Sequence, residues 1–279
     1  MKKKVAVING TRNKEDIMAV LSELEPNKVF KYFEEICSIP HGSNNVKQIS
    51  DYLVDFAKAH NLKCRQDDDL NVIIWKDGSK GYEDSEPVIL QGHMDMVAVQ
   101  EADCKKDMEK EGLDLEINGD YISAKGTSLG GDDGIAVAYT LAVLDDEEMA
   151  HPPIEAIFTV NEEIGMLGAA TIDVSDLKGR LFMNMDSEDE GVFTVSCAGG
   201  ASVICKFPYK RDLVNAPVIE IKLDDFTGGH SGVEIIKGRV NANCAMARVL
   251  LNVFQNVGMR LVSVNGGEKD NAISKLSEA

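Results

Sequence analysis

Pro87-Val88-Ile89-Leu90-Gln91-Gly92-His93-Met94-Asp95-Met96-Val97 is the stretch on which the reading of this chain turns. The apolar run at its start predicts a buried strand. Side chains alternate along a strand, so His93 and Asp95 share one face and Met94 takes the other. A histidine and an aspartate thus leave the C-terminal end of a strand together. That is the end at which open α/β sheets build their sites. A histidine that holds a metal through one ring nitrogen needs its ring oriented, and a neighbouring carboxylate commonly does this. His93 could equally be a hydrogen-bonded histidine closing a strand, and the rest of the chain has to decide.

Acids recur at the same kind of place. The run Ile154 to Val160 predicts a strand that ends in Asn161-Glu162-Glu163-Ile164-Gly165. Two glutamates at the end of an apolar strand are costly to bury unless they are used. No Lys or Arg occurs from Gly126 to Leu177, so no cation close in sequence pairs with them. Arg180 to Met185 predicts another strand, followed by Asp186. Gly126-Thr127-Ser128-Leu129-Gly130-Gly131-Asp132-Asp133-Gly134 leads into a helix from about Ile135 to Leu144, apolar almost all round and therefore buried. Asp132 and Asp133 could be there only to favour the positive end of that helix. Capping explains one such acid readily, and a pair in a glycine-rich loop less well. Strands joined by crossovers place their C-terminal ends along one edge, so these groups can converge. A histidine with several carboxylates and no cysteine suits zinc, manganese or cobalt in a hydrolytic site. Two metals about 3.5–4 Å apart need a bridging carboxylate and a water between them. A spare glutamate can then act as general base.

Upstream, Val29, Phe30, Phe33, Ile36 and Cys37 have helical spacing, Pro40-His41-Gly42-Ser43 ends that helix, and Val46, Ile49, Leu53 and Phe56 line a second one. His41 reads as a loop residue. Asn71 to Trp75 predicts a strand, and Gly119-Asp120 a hairpin turn before Tyr121 to Ala124. Downstream, Val192 to Val195 predicts a short strand and Cys197-Ala198-Gly199-Gly200 a hinge. Strands at Ala201 to Phe207, Pro217 to Leu223 and Met259 to Val264, with a helix from Val240 to Val257, suggest a separate α+β domain. The expected organisation is a lead-in at 1–25, a metal-binding domain at 26–198 and a further domain at 199–279.

Composition narrows the classes. The 279 residues are 44% hydrophobic and 27% charged, ordinary for a globular protein. A net charge of −18 argues against nucleic acid as a partner, since phosphate binding needs clustered Lys and Arg. No apolar run approaches a membrane span. Val5-Ala6-Val7-Ile8 is too short for a signal-peptide core, so the expected location is cytoplasmic. The six cysteines are scattered without a CxxC pair, which suggests neither a disulfide framework nor a structural zinc cluster.

These residues resemble the co-catalytic zinc metallopeptidases that include peptidase T and the carnosinases, and most of all the aminoacyl-histidine (cytosolic non-specific) dipeptidases. The resemblance runs from about Pro26 onward. Besides the stretches quoted above, it rests on Ile36-Cys37-Ser38-Ile39-Pro40-His41, Asn184-Met185-Asp186-Ser187-Glu188 and Gly228-Gly229-His230-Ser231-Gly232. It implies an α/β fold, a mixed sheet flanked by helices, with a partial α+β lid domain. It implies two divalent metal ions, zinc first, with manganese or cobalt also suited. His93, Asp132 and Asp186 would hold one metal. Asp132 would bridge to a second, which Glu163 also binds. Glu162 would be the general base, Asp95 the support of His93, and His230 a lid residue that stabilises the oxyanion. The implied reaction is hydrolysis of dipeptides, Xaa-His or of broad specificity, and the implied assembly a homodimer through the lid.

The family pattern also calls for a histidine on the second metal, near the end of the full-length catalytic domain. None of the five histidines, His41, His60, His93, His151 and His230, replaces it convincingly. His151 begins the strand that Glu162 follows, and at ~3.3 Å per residue it lies roughly 30 Å away. The resemblance therefore implies the N-terminal portion of a longer enzyme. Such a chain is expected to bind one metal well and the second poorly, and to have little peptidase activity alone. The alternatives are an inactive or complementation-dependent fragment, and an amidohydrolase acting on N-acyl amino acids.

Overall fold

The structure, a computed structural model, describes residues 20–187, 191–196, 203–232, 234–267 and 272–279. The hinge at 197–200, Glu188 and most of the lead-in lie outside them. The chain divides into two compact units, Met1–Val192 and Phe193–Ala279.

In the first unit the elements run α1 (Asn27–Cys37), α2 (Lys47–Ala59), β1 (Lys63–Gln66), β2 (Val72–Lys76), β3 (Val88–His93), β4 (Leu115–Asn118), β5 (Tyr121–Ala124), α3 (Gly131–Asp145), β6 (Ile154–Thr159), α4 (Leu167–Thr171) and β7 (Leu181–Asn184). The sheet has the order β1-β2-β6-β3-β7. β1 with β2 and β2 with β6 are antiparallel, whereas β3 is parallel to both β6 and β7. The fold is thus α/β with a mixed sheet flanked by helices, as the sequence led us to expect. β4 and β5 form the hairpin around Gly119-Asp120.

The core follows from the apolar spacing. Val29, Tyr32, Phe33, Ile36 and Cys37 are the buried face of α1, which packs against α3. α3 also packs on β3, and α2 packs on β1 and β2. Every side chain of β6 is buried, which fits a central strand covered on both faces. One of them is charged: Glu155 accepts hydrogen bonds from the backbone N–H of Lys178 (3.0 Å) and Gly179 (2.8 Å), just before β7. At the sheet edge, β7 differs sharply, with Leu181, Phe182 and Met183 58%, 58% and 52% exposed.

The second unit contains β8 (Lys222–Leu223), β9 (Gly229–His230), a 3₁₀ turn (Ile235–Lys237), α5 (Ala242–Val257), β10 (Asn265–Gly266), β11 (Ala272–Ile273) and β12 (Ser277–Glu278). The Asn241 side chain caps α5 by accepting from Asn243 N and Cys244 N. Its sheets are small, β10-β12-β8 and β11-β9. Here the sequence promised more strand than forms. Val192 to Val195, the described part of Ala201 to Phe207, and Met259 to Val264 are not laddered, and Pro217 to Leu223 contributes only Lys222–Leu223. Val203, Ile204, Phe207, Leu261 and Val262 are all exposed, so neither burial nor a paired neighbour fixes them as strands. No helix among the described residues is long and apolar enough to cross a membrane.

Candidate metal centre

The register of the parallel strands brings the predicted groups together. His93 pairs with Thr159 across β3 and β6. Gln91 pairs with Asn184 across β3 and β7, so Asp186, two residues on, lies level with His93. A line of side chains ties the three strands together. Gln91 Nε2 donates to Thr159 Oγ1 (3.2 Å), and Asn184 Nδ2 donates to Gln91 Oε1 (2.5 Å). Adjacent strands lie about 4.8 Å apart, so groups at one level on neighbouring ends can share a ligand.

His93 is 1% exposed. Its Nδ1 lies 2.9 Å from the Asp95 carbonyl oxygen and 3.5 Å from Asp95 Oδ1. With Nδ1 bonded on that side, Nε2 faces the acids, 3.1 Å from Asp132 Oδ1 and 3.9 Å from Glu162 Oε2. Among the described residues, His93, Asp132 and Asp186 form one group that could hold a metal ion. One ligand atom from each lies within 4.8 Å of the others.

Asp132 and Asp133 take different parts. They occupy the entry to α3 with non-helical backbone, and the peptide between them is cis. Asp132 is exposed and faces His93 Nε2, whereas Asp133 is 2% exposed and accepts the His93 backbone N–H at 3.2 Å. The approach needs Gly92, since a Cβ there would stand 2.8 Å from Asp133 Oδ2 and 2.9 Å from Ala136 Cβ. The N-cap of α3 is Gly130, with no side-chain cap. Simple capping therefore does not account for the pair.

Asp95 is the hub of a second set of bonds. It is 1% exposed, its Oδ1 accepts the Glu162 backbone N–H at 3.0 Å, and its Oδ2 accepts the Ser43 hydroxyl at 2.8 Å. Burial works against the Asp95 charge, but His93, Glu162 N–H and Ser43 together hold its pKa below the usual carboxylate value. Burial also opposes a charged His93, yet the Asp95 hydrogen bond and the nearby charges of Asp133, Asp95 and Asp186 raise its pKa to about 10. Burial pushes Asp133 up to about 7, with Asp186 and Asp132 adding repulsion. Glu162 and Glu163 are raised by burial and then by neighbouring acids. Several carboxylates crowd one imidazole here, each penalised by the next. A divalent cation would relieve that repulsion, and the oxygen-plus-imidazole donor set fits zinc, manganese or cobalt.

Glu163 follows Glu162 past β6 and is partly buried, coupled electrostatically to Asp132 and His93. It is outside the three-residue group. His230 belongs to the second unit. Its N–H donates to Glu234 Oε2 (3.0 Å), and its Nδ1 accepts from Gly232 N (3.0 Å). Three other histidines have structural partners. His41 is buried with Nδ1 2.6 Å from Ile39 O. His60 stacks on Phe56 and meets Asp145 at 3.0 Å. His151 holds Pro152 O at 2.7 Å, at the start of β6. Sequence reasoning missed Ser43 and Asn161, whose side chain accepts from Asn44 N at 2.7 Å. A serine just after a helix-breaking proline carries no signal of its own in a single sequence.

No family model matches the chain. Among solved structures, a tripeptidase from Staphylococcus aureus shares the fold, with TM-score 0.51 at 18% identity over 90% of this chain and 64% of that one. A more specific likeness is to the aminoacylhistidine dipeptidase from Vibrio alginolyticus, with TM-score 0.69 and 36% identity over 92% of this chain and 53% of that one. In sequence the chain is 38% identical over 260 residues to the cytosol non-specific dipeptidase of Escherichia coli, covering 92% of this chain and 54% of the relative. The resemblance to the dipeptidases read from the motifs is borne out, and the chain spans about half the length of these two relatives.

Proposed function

We propose that the protein hydrolyses dipeptides, Xaa-His or of broad specificity, with two divalent metal ions, zinc first. The observation that carries this is the convergence of His93, Asp132 and Asp186 within 4.8 Å on one sheet edge. The likeness to dipeptidases supports the substrate class. His93, Asp132 and Asp186 would hold one metal, and Asp132 with Glu163 would hold the other. Bound there, a divalent metal supplies a Lewis acid and lowers the pKa of water towards neutrality. Glu162, its pKa already raised, takes a proton from the attacking water and returns one to the leaving amine. Asp95 fixes His93 in the orientation that leaves Nε2 outward. By the family resemblance, the domain at 26–198 is assigned to catalysis, the domain at 199–279 is assigned as a lid and homodimer element, and His230 on the latter is assigned to oxyanion stabilisation. The location is cytoplasmic, in keeping with the name of the Escherichia coli relative.

The test is to load the purified chain with zinc, assay it on unblocked dipeptides and on N-acyl amino acids, and repeat with Glu162→Gln. The expected result is slow, metal-dependent hydrolysis of the dipeptides that falls at least about 100-fold in the variant, with bound metal per chain unchanged. Turnover of N-acyl amino acids alone would overturn the substrate class. Equal rates in both proteins would remove Glu162 from its role.

A further inference from the structure

Ser43 has no part in the reaction as described, yet its hydroxyl is bonded to the buried carboxylate at the centre of the site. The loop that carries it is held on both sides. On one side it runs beside the extension of β3. Gly42 forms a parallel bridge with Met96, Met96 N donates to His41 O (3.2 Å), and Ser43 N donates to Met96 O (3.2 Å). A Cβ on Gly42 would stand 2.7 Å from Ala98 Cβ, so the Ala98 side chain leaves no room for one there. On the other side, Asn44 N donates to the side chain of Asn161, the residue before Glu162. Asn44 and Asn161 both have left-handed backbone, φ 67° and 55°, which asparagine tolerates better than most residues. Ser43 therefore presents its Oγ from a fixed place between the ends of β3 and β6.

The bonds of Asp95 show what that does. Oδ1 takes the Glu162 N–H and faces His93 Nδ1, while Oδ2 takes the Ser43 hydroxyl. Without a donor on Oδ2 the carboxylate can turn about its last torsion, since that torsion is broad. Turning would cost the Glu162 backbone its acceptor and take away the carboxylate that backs His93 Nδ1, leaving that nitrogen the Asp95 carbonyl oxygen at 2.9 Å.

We propose that Ser43 is a positioning residue of the metal centre, which sets the Asp95 carboxylate and through it the His93 ring and the start of the Glu162 segment. The metal part of this rests on the reading of His93 as a ligand; the orientation of His93 does not. The experiment compares Ser43→Ala and Ser43→Thr with the parent chain in three measurements: zinc affinity, melting temperature, and the His93 Nδ1–H resonance of the metal-free protein. Outer partners of a ligating histidine typically change metal affinity by about 10–100-fold, and Ser43 acts one bond further out. The expected result is about tenfold weaker zinc binding in Ser43→Ala, with the His93 resonance broadened or lost, and both restored in Ser43→Thr. A melting temperature that falls in Ser43→Ala while the His93 resonance and zinc affinity match the parent would overturn the proposal, because a merely structural serine behaves so. So would equal losses in both variants. If the parent binds no zinc but Ser43→Ala still loses the His93 resonance, the positioning stands and the metal reading fails.

Discussion

The two sides of the proposed centre are built differently. Around the ends of β3 and β6 and the entry to α3, His93, Asp95 and Asp133 are buried and tied by hydrogen bonds to one another, to Ser43 and to the Glu162 backbone. On β7, Asp186 is exposed, at the end of a strand whose Leu181, Phe182 and Met183 are exposed too. A central strand is held by neighbours on both edges and layers on both faces, and an outer strand by one neighbour. Geometry on the inner side is therefore set by packing and hydrogen bonds. On the outer side it depends on the register of a single ladder.

Substitutions can break that contrast. The largest effect is expected from His93→Ala, which removes the one nitrogen ligand of the group. Its loss of zinc affinity should exceed the about 100-fold typical of the strongest outer-partner changes, read by competition with a chelating indicator. A loss of less than tenfold would show that the acids alone hold the metal. Next, Phe158→Ala on β6, where the side chain is fully buried, should cost about 3–5 kcal/mol in urea unfolding.

Asp133→Asn tests the crowding on the inner side. The folded pKa of Asp133, raised to about 7, lies above its unfolded value, so its charge disfavours the fold. That penalty is absent below about pH 4 and complete above its folded pKa. His93, raised to about 10, adds stability that is complete below about pH 6.5 and lost as pH rises through 10. Metal-free protein should thus melt lower at pH 9 than at pH 6. Asn keeps an oxygen for the His93 N–H, so the variant should melt higher than the parent above pH 7 and show a flatter profile. An unchanged profile would mean that the repulsion is screened. The smallest effect is expected from Phe182→Ala on β7, within about 0.5 kcal/mol. A cost near that of Phe158→Ala would show that β7 is covered in solution.

The inner side was also the more legible in the sequence. β3 and β6 are apolar runs that end in His93 and in Glu162-Glu163, and α1 to α3 have the spacing of one or all faces buried. These signals arise because packing selects residue type. β1, Lys63-Cys64-Arg65-Gln66, was not read as a strand. It is polar and half-exposed, and only its ladder with β2 defines it. Met259 to Val264 erred the other way, since β-prone residues without a paired neighbour do not make a strand. Strand ends and a helix start imply that acids converge near His93, and the family resemblance singles out Asp132 and Asp186 among them. The turn of Asp133 under Gly92, away from the outward-facing Asp132, is legible in neither. It depends on the path of a loop that composition does not encode. Ser43 was illegible for the same reason.

Glu155 joins the two sides from a distance. Its carboxylate grips the chain at Lys178 and Gly179, some seven residues and roughly 20 Å of extended backbone before Asp186. Side chains alternate along a strand, so a slip of one residue would present Met185 or Ser187 to the centre in place of Asp186. The buried acid at the far end of the sheet acts as an index mark. By fixing where the outer strand starts, it decides which side chain arrives at the proposed centre.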